Sequence, residues 1–196
     1  GVKPGVTREI FEKSIASGTV QDCFHRISVK PGDAMFVPSG RVHALGAGSV
    51  IFEIQQNSDT TYRVFDWNRI GLDGKPRELH VAQSMKCIDF ADVAPSLIPD
   101  SFTSAAYGGN RPLVNDPLFR VEALRIEQGR SVDLESAAVQ VAGVIRGSVR
   151  IQCGSSEVSI GAGGFSVLPA SPGRFRITTS GGMASEILLA VAGPFV

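Results

Sequence analysis

Histidine is scarce here, with three in 196 residues and none beyond His80. That excludes a histidine-built metal centre from the whole C-terminal part, where packing is the expected work. Cysteine is equally sparse. Cys23, Cys87 and Cys153 are odd in number, far apart and without CxxC spacing, which excludes a zinc knuckle or dithiol redox site and makes reduced thiols in a cytoplasmic setting the expectation. Net charge is lacking too, because 19 lysines and arginines balance 19 aspartates and glutamates. No global field then recruits nucleic acid or an anionic membrane, and any anion must be caught locally. No apolar run approaches the ~20 residues of a membrane span, and no basic stretch precedes a hydrophobic one at the start. An initiating methionine is also missing, and the chain begins at Gly1 close to a helix, so absence of a front part is expected. What is present, 43% apolar residues, suffices for a globular protein of one large or two small domains.

The first periodic segment, Val6 to Gly18, reads as a short helix with Thr7 as N-cap, Glu9 in the first turn, an apolar face of Ile10, Phe11 and Ile15, and Gly18 as its stop. A second short helix is expected near Val20 to His25. From Arg26 the pattern turns to short strands: Arg26–Val29, Ala34–Val37, His43–Leu45, Ser49–Gln56 and Thr60–Trp67. Val81 to Cys87 suits a brief helix or strand. Residues 94–118, dense in Pro and Gly with little periodicity, read as a linker between a first domain, 1–93, and a second, 119–196. The second domain repeats eight short strands from Phe119 to Val191, the rhythm of a jelly roll. The fold class expected is therefore all-β: two jelly-roll barrels with one or two short helices near the N-terminus.

One stretch concentrates geometric constraint. Gly32, five residues, Pro38-x-Gly40-x-x-His43 places a turn, a short strand and a second turn before a single imidazole, which strand alternation can aim into a barrel interior as a metal ligand. A histidine that merely closes a turn is the alternative reading. Gly163 and Pro169 repeat the spacing of Gly32 and Pro38, but the later positions then hold Ser171 and Arg174, so the second copy has no ligand. Glu53 shares a strand face with Ile51, which makes it either an ion-pair partner in the barrel or a functional carboxylate. Arg63 carries a fork suited to phosphate or a developing oxyanion, and Arg69 offers a second positive charge. His25 and His80 read as structural or solvent-facing, and Gly46-x-Gly48 as only a turn.

The spacing from Gly32 to His43 resembles the second conserved motif of the cupins. The strings Glu53-x-Gln55-Gln56-Asn57-Ser58-Asp59-Thr60-Thr61-Tyr62-Arg63, Asp66-Trp67-x-Arg69 and Arg77-Glu78-Leu79-His80 further resemble the zinc-dependent type I mannose-6-phosphate isomerases in their short bacterial form. Nearly the whole chain is similar to the family's later part. The resemblance implies a double cupin, interconversion of mannose 6-phosphate and fructose 6-phosphate through a cis-enediol, and a zinc cofactor. By position it implies His43 as a zinc ligand, Arg63 and Glu53 as active-site residues, and Arg69 as a basic residue near substrate. It also implies that the other zinc ligands, a Gln-x-His pair and a glutamate, come from a preceding segment, since nothing in the first 42 residues matches them. An incomplete zinc site in this chain is the resulting expectation.

Three function classes follow: an isomerase or a fragment of one, a non-catalytic cupin module binding a sugar phosphate or a partner protein, and, with less support, another cupin chemistry such as an iron oxygenase, which needs two more histidines near His43. Expected partners are a small sugar phosphate, with neither nucleic acid nor membrane, and self-association through an exposed strand edge.

Overall fold

A computed structural model describes residues 1–193 except 59, 68, 136, 171 and 172. It divides into two units, Gly1–Leu97 and Ile98–Val196.

Unit 1 is organised by helices. Helix α1 (Arg8–Ala16) starts where the spacing predicts, with the Thr7 hydroxyl accepting the Ile10 N–H at 3.3 Å and Glu9 in the first turn. Gly18, at φ +75°, follows its end. Phe11 is fully buried with Val2, Val20, Cys23 and Met85, and meets Phe24 and Phe90 edge-on at 5.9 and 5.6 Å. Ile10, expected on the same apolar face, is 45% exposed, because the buried stripe of so short a helix is narrow. A 3₁₀ turn (Val20–Cys23) stands where a second helix was expected, and Val81–Cys87 forms helix α2, which buries Met85.

The five segments expected as strands between 26 and 67 have no ladder among the described residues. Alternation marks a segment that would suit a sheet, but a strand exists only when a neighbour takes its N–H and C=O groups. Side chains such as Leu45, Val50 and Leu72 are correspondingly exposed. Residues 26–79 are held by Val42, Val64 and Phe65, which pack against the unit 1 core, and by a small set of polar contacts described below.

Unit 2 is all antiparallel β. Its strands are β1 (Thr103–Ala105), β2 (Gly108–Asn115), β3 (Phe119–Ile126), β4 (Ser131–Glu135), β5 (Gln140–Arg146), β6 (Ser148–Cys153), β7 (Ser156–Gly161), β8 (Phe165–Leu168), β9 (Arg174–Thr179) and β10 (Ser185–Ala192). Six form one sheet in the order β1-β2-β3-β10-β5-β8, and four form the other, β4-β9-β6-β7. Alternate residues such as Val149 and Ile151, Phe175 and Ile177, Ile187 and Leu189 are buried in one core, the two-residue period of a jelly-roll sheet with one wet face. The eight expected strands are all present, within a residue or two at each end.

Residues 94–118 are not a simple linker. The division falls between Leu97 and Ile98, and the segment contributes β1 and β2 to the sheet. Its prolines and glycines hid this. β1 covers only Gly108–Asn110 of β2, so Pro112 lies beyond it, and the register against β3 shifts between Pro112 and Val114. A proline without an N–H is tolerated at such a short edge and bulge.

Candidate functional site

The loop leading to His43 is built on two left-handed glycines, Gly32 at φ +92° and Gly40 at φ +88°. Gly40 is also crowded, since a Cβ there would stand 2.9 Å from the Cys87 carbonyl oxygen and 3.3 Å from the Asp89 Cβ. Both conformation and space therefore demand glycine. Its carbonyl accepts the Asp89 N–H at 2.9 Å, and the Arg41 N–H closes the turn on the Pro38 carbonyl at 3.1 Å. The Arg41 guanidinium then locks the turn in place. Nε and Nη2 donate to the two Asp92 oxygens at 2.9 and 2.7 Å, and Nη1 donates to the Phe36 carbonyl at 2.6 Å.

This bidentate pair, with both side chains about five-sixths covered, holds the Asp92 carboxyl below the usual aspartate range, chiefly through the Arg41 hydrogen bonds. A lowered folded-state pKa means the pair's stabilisation is fully present above the unfolded value of about 3.9 and is lost as pH falls through the lower folded one. Urea unfolding of wild type and Asp92→Asn at a series of pH values should show the wild type ahead at neutral pH and the gap closing only below about pH 4. A gap independent of pH would contradict this assignment.

His43 is exposed, and its Nδ1 lies 3.1 Å from the Arg41 carbonyl. The expectation of a ring aimed into a barrel interior is therefore corrected, because the surrounding segments enclose no barrel among the described residues. A carbonyl oxygen only accepts, so Nδ1 is the donor, and the neutral ring then has its lone pair on Nε2. Backbone-fixed histidines with a free Nε2 are what metal centres use. Yet among the described residues no three His, Cys, Asp or Glu side chains come together as a metal cluster. The residues present do not by themselves fit a zinc site.

Glu53 is exposed, as are Ile51 and Gln55, whereas Phe52 and Ile54 are half-buried. Alternation is thus as expected, but the face carrying Glu53 is the open one, and among the described residues neither a barrel interior nor an ion pair surrounds its carboxylate. Arg69 is exposed, and its guanidinium carbon lies 5.7 Å from the Trp67 ring centroid. Trp67 itself holds a left-handed backbone, φ +51°, which a bulky residue rarely adopts, and packs edge-on against Phe65 at 5.3 Å.

Arg63 is half-buried and anchored three times over. Its carbonyl accepts the His80 N–H at 2.7 Å, its own N–H donates to His80 Nδ1 at 3.2 Å, and its guanidinium Nη1 donates to the Glu78 carbonyl at 3.3 Å. The rest of the fork has no hydrogen-bond partner among the described residues. Nearby, Asp66 is buried and takes the Arg77 guanidinium through both oxygens, Nε at 2.8 Å and Nη2 closer still. Those bonds hold the Asp66 carboxyl below its usual range. Sequence reading took His80 as structural or solvent-facing, which agrees with its bonds to the Arg63 backbone, and gave Arg77 no role. Their only sequence signal is the Arg77-Glu78-Leu79-His80 string, whose partners lie 11 to 17 residues back.

Among the described residues unit 2 offers no comparable site. Arg174, the counterpart of His43 in the repeated spacing, is exposed on β9 and pairs with Glu135 at 3.1 Å, and Arg176 forks onto Asp133 at 2.8 and 2.9 Å. The shallow depression they line with Gln152 and Gly154 thus has its charges already matched. Ser171 lies outside the described residues. Gly163, at φ +84°, does preserve the turn of Gly32. The three cysteines are free thiols, and among the described residues no helix is long and apolar enough to cross a membrane.

No family model matches the chain. Known proteins do. A probable mannose-6-phosphate isomerase of Bacillus subtilis (strain 168), GmuF, is 36% identical over 174 residues, 87% of this chain and 54% of that protein. The mannose-6-phosphate isomerase of Streptococcus mutans is 32% identical over 163 residues, 83% of this chain and 51% of that protein. The crystal structure of the mannose 6-phosphate isomerase from Bacillus subtilis superposes with a TM-score of 0.81 at 29% identity, covering 94% of this chain and 57% of that one. The chain is a homologue of mannose-6-phosphate isomerases. It spans about half the length of the curated relatives it matches. This similarity agrees with the resemblance carried by the motif strings from Glu53 to His80.

Proposed function

We propose that the gene product carrying this chain interconverts mannose 6-phosphate and fructose 6-phosphate, and that His43, Glu53, Arg63 and Arg69 are this chain's share of the site. The observation that carries the reading is 36% identity across 87% of the chain to a probable mannose-6-phosphate isomerase. The reaction needs no external oxidant or reductant. C2 of the aldose loses its proton and C1 gains one, while O1 takes up a proton and O2 gives its own away.

Negative charge develops on the enediol oxygens between those steps. Arg63 is the group built to meet it, because its main chain is pinned and most of its planar fork is open, so stabilisation needs little reorganisation at the moment of reaction. Arg69 supplies a second positive charge toward the phosphorylated substrate. Glu53 contributes an accessible carboxylate in the same segment of chain. His43 is one donor to Zn²⁺, with the remaining donors outside the described residues.

The test is a coupled assay of mannose 6-phosphate turnover by the full gene product. Turnover supports the reading, whereas saturable sugar phosphate binding by folded, zinc-supplemented protein without turnover overturns it in favour of a binding module. In the same protein His43→Ala should weaken Zn²⁺ at least about tenfold in chelator competition, in line with the loss seen when even an outer partner of a metal ligand is removed. Unchanged zinc affinity would remove His43 from the metal site.

A further inference from the structure

We propose that His80 is the positioning residue for Arg63, an inference that rests on the role given to Arg63 above. Among the described residues the main chain from 26 to 79 has few long-range hydrogen bonds, and at Arg63 both backbone groups are taken by one partner 17 positions away. The His80 N–H reaches the Arg63 carbonyl at 2.7 Å, and the Arg63 N–H reaches His80 Nδ1 at 3.2 Å. A backbone N–H only donates, so Nδ1 is the acceptor and the ring's proton sits on Nε2. Nε2 is 3.9 Å from the Glu78 carboxylate, beyond hydrogen-bond reach, and the Tyr62 ring lies against the imidazole at a centroid distance of 6.1 Å.

His80 is itself tied to something rigid. Its carbonyl accepts the Ser84 N–H at 2.8 Å, the first bond of α2, and α2 sends Met85 into the unit 1 core. A chain of direct contacts therefore runs from the Phe11 core through α2 and one imidazole to the Arg63 backbone. The Glu78 carbonyl, two residues before His80, takes one nitrogen of the Arg63 fork at 3.3 Å. His80 and Glu78 together set both where the arginine leaves the chain and where its head begins. A misplacement of about 1 Å in such a group costs up to about 10²-fold in rate, which is the scale on which a positioning residue acts.

An alternative is purely local, with His80 serving only to satisfy a backbone N–H and start a helix. The two separate in a double-mutant cycle on the full gene product. His80→Ala, which removes the acceptor, should lower kcat/KM about tenfold or more, mostly through kcat. His80→Asn, whose Oδ1 stands in for Nδ1, should recover most of that loss. In an Arg63→Ala background, His80→Ala should change nothing further. The ¹⁵N spectrum of the His80 ring should show an unprotonated Nδ1 and a protonated Nε2, a readout independent of turnover.

Additive losses from the two alanine variants, no recovery with Asn, or a proton on Nδ1 would each overturn the proposal while leaving Arg63 in its role. An Arg63→Ala variant with unaltered turnover would instead overturn the reading of Arg63 and this inference with it. Should His80→Ala fail to fold, His80→Phe, which fills the ring's space without an acceptor, takes its place in the cycle with Arg63→Ala, and additive losses there overturn the proposal.

Discussion

Arg63→Ala is expected to lower kcat for mannose 6-phosphate by about 10²–10³-fold, the loss typical of removing one preorganised donor to a developing oxyanion. KM should change far less. The fork acts on charge that exists only near the transition state, so the effect falls on kcat and on kcat/KM alike. Arg63→Lys restores the charge but not the planar pair of donors, and should recover only part of the loss. The fold should survive either change, because the guanidinium makes a single hydrogen bond, to the Glu78 carbonyl, while the anchoring bonds to His80 belong to the main chain. Steady-state kinetics on the full gene product measures the split between kcat and KM. An unchanged kcat would remove Arg63 from the chemistry.

Phe11→Ala should be the most damaging truncation in unit 1, destabilising it by about 3–5 kcal/mol, the range for deleting a buried aromatic ring. Phe11 has no exposed surface and fills the space among Val2, Val20, Cys23 and Met85, with Phe24 and Phe90 against its edges. A methyl group leaves that space empty, and a helix of nine residues is too short to hold itself without tertiary packing. Ile10→Ala, one residue earlier on the same helix and 45% exposed, is the control and should stay within about 0.5 kcal/mol. Residue-resolved hydrogen exchange would locate the loss at α1, α2 and the 3₁₀ turn, and equal effects of the two substitutions would refute the packing described here.

Unit 2 was legible in the sequence because its information is local. Phe175 and Ile177 alternating with Arg174 and Arg176 identify a strand and its buried face without reference to anything distant. Prolines and glycines defeated the same logic at β2, where Pro112 is harmless only because β1 stops at Asn110's position in the pairing. In unit 1 the caps of α1 and the left-handed turns at Gly32 and Gly40 were legible for the same local reason. The strands expected from 26 to 67 have no ladder among the described residues, since periodicity states what a segment would suit and never whether a neighbour is there to pair with it.

Among the site residues, the motif strings singled out His43, Glu53, Arg63 and Arg69, but could not say which of them the fold would grip. Arg41 meets Asp92 across 51 positions and Arg63 meets His80 across 17. Residue order alone thus determined where turns, caps and the alternating core of the second unit lie, because those depend on φ, on chirality and on neighbours a few positions away. Which polar side chains reach across the first unit to hold its loop was decided by tertiary packing alone, because a contact between distant positions leaves no periodic trace in the chain.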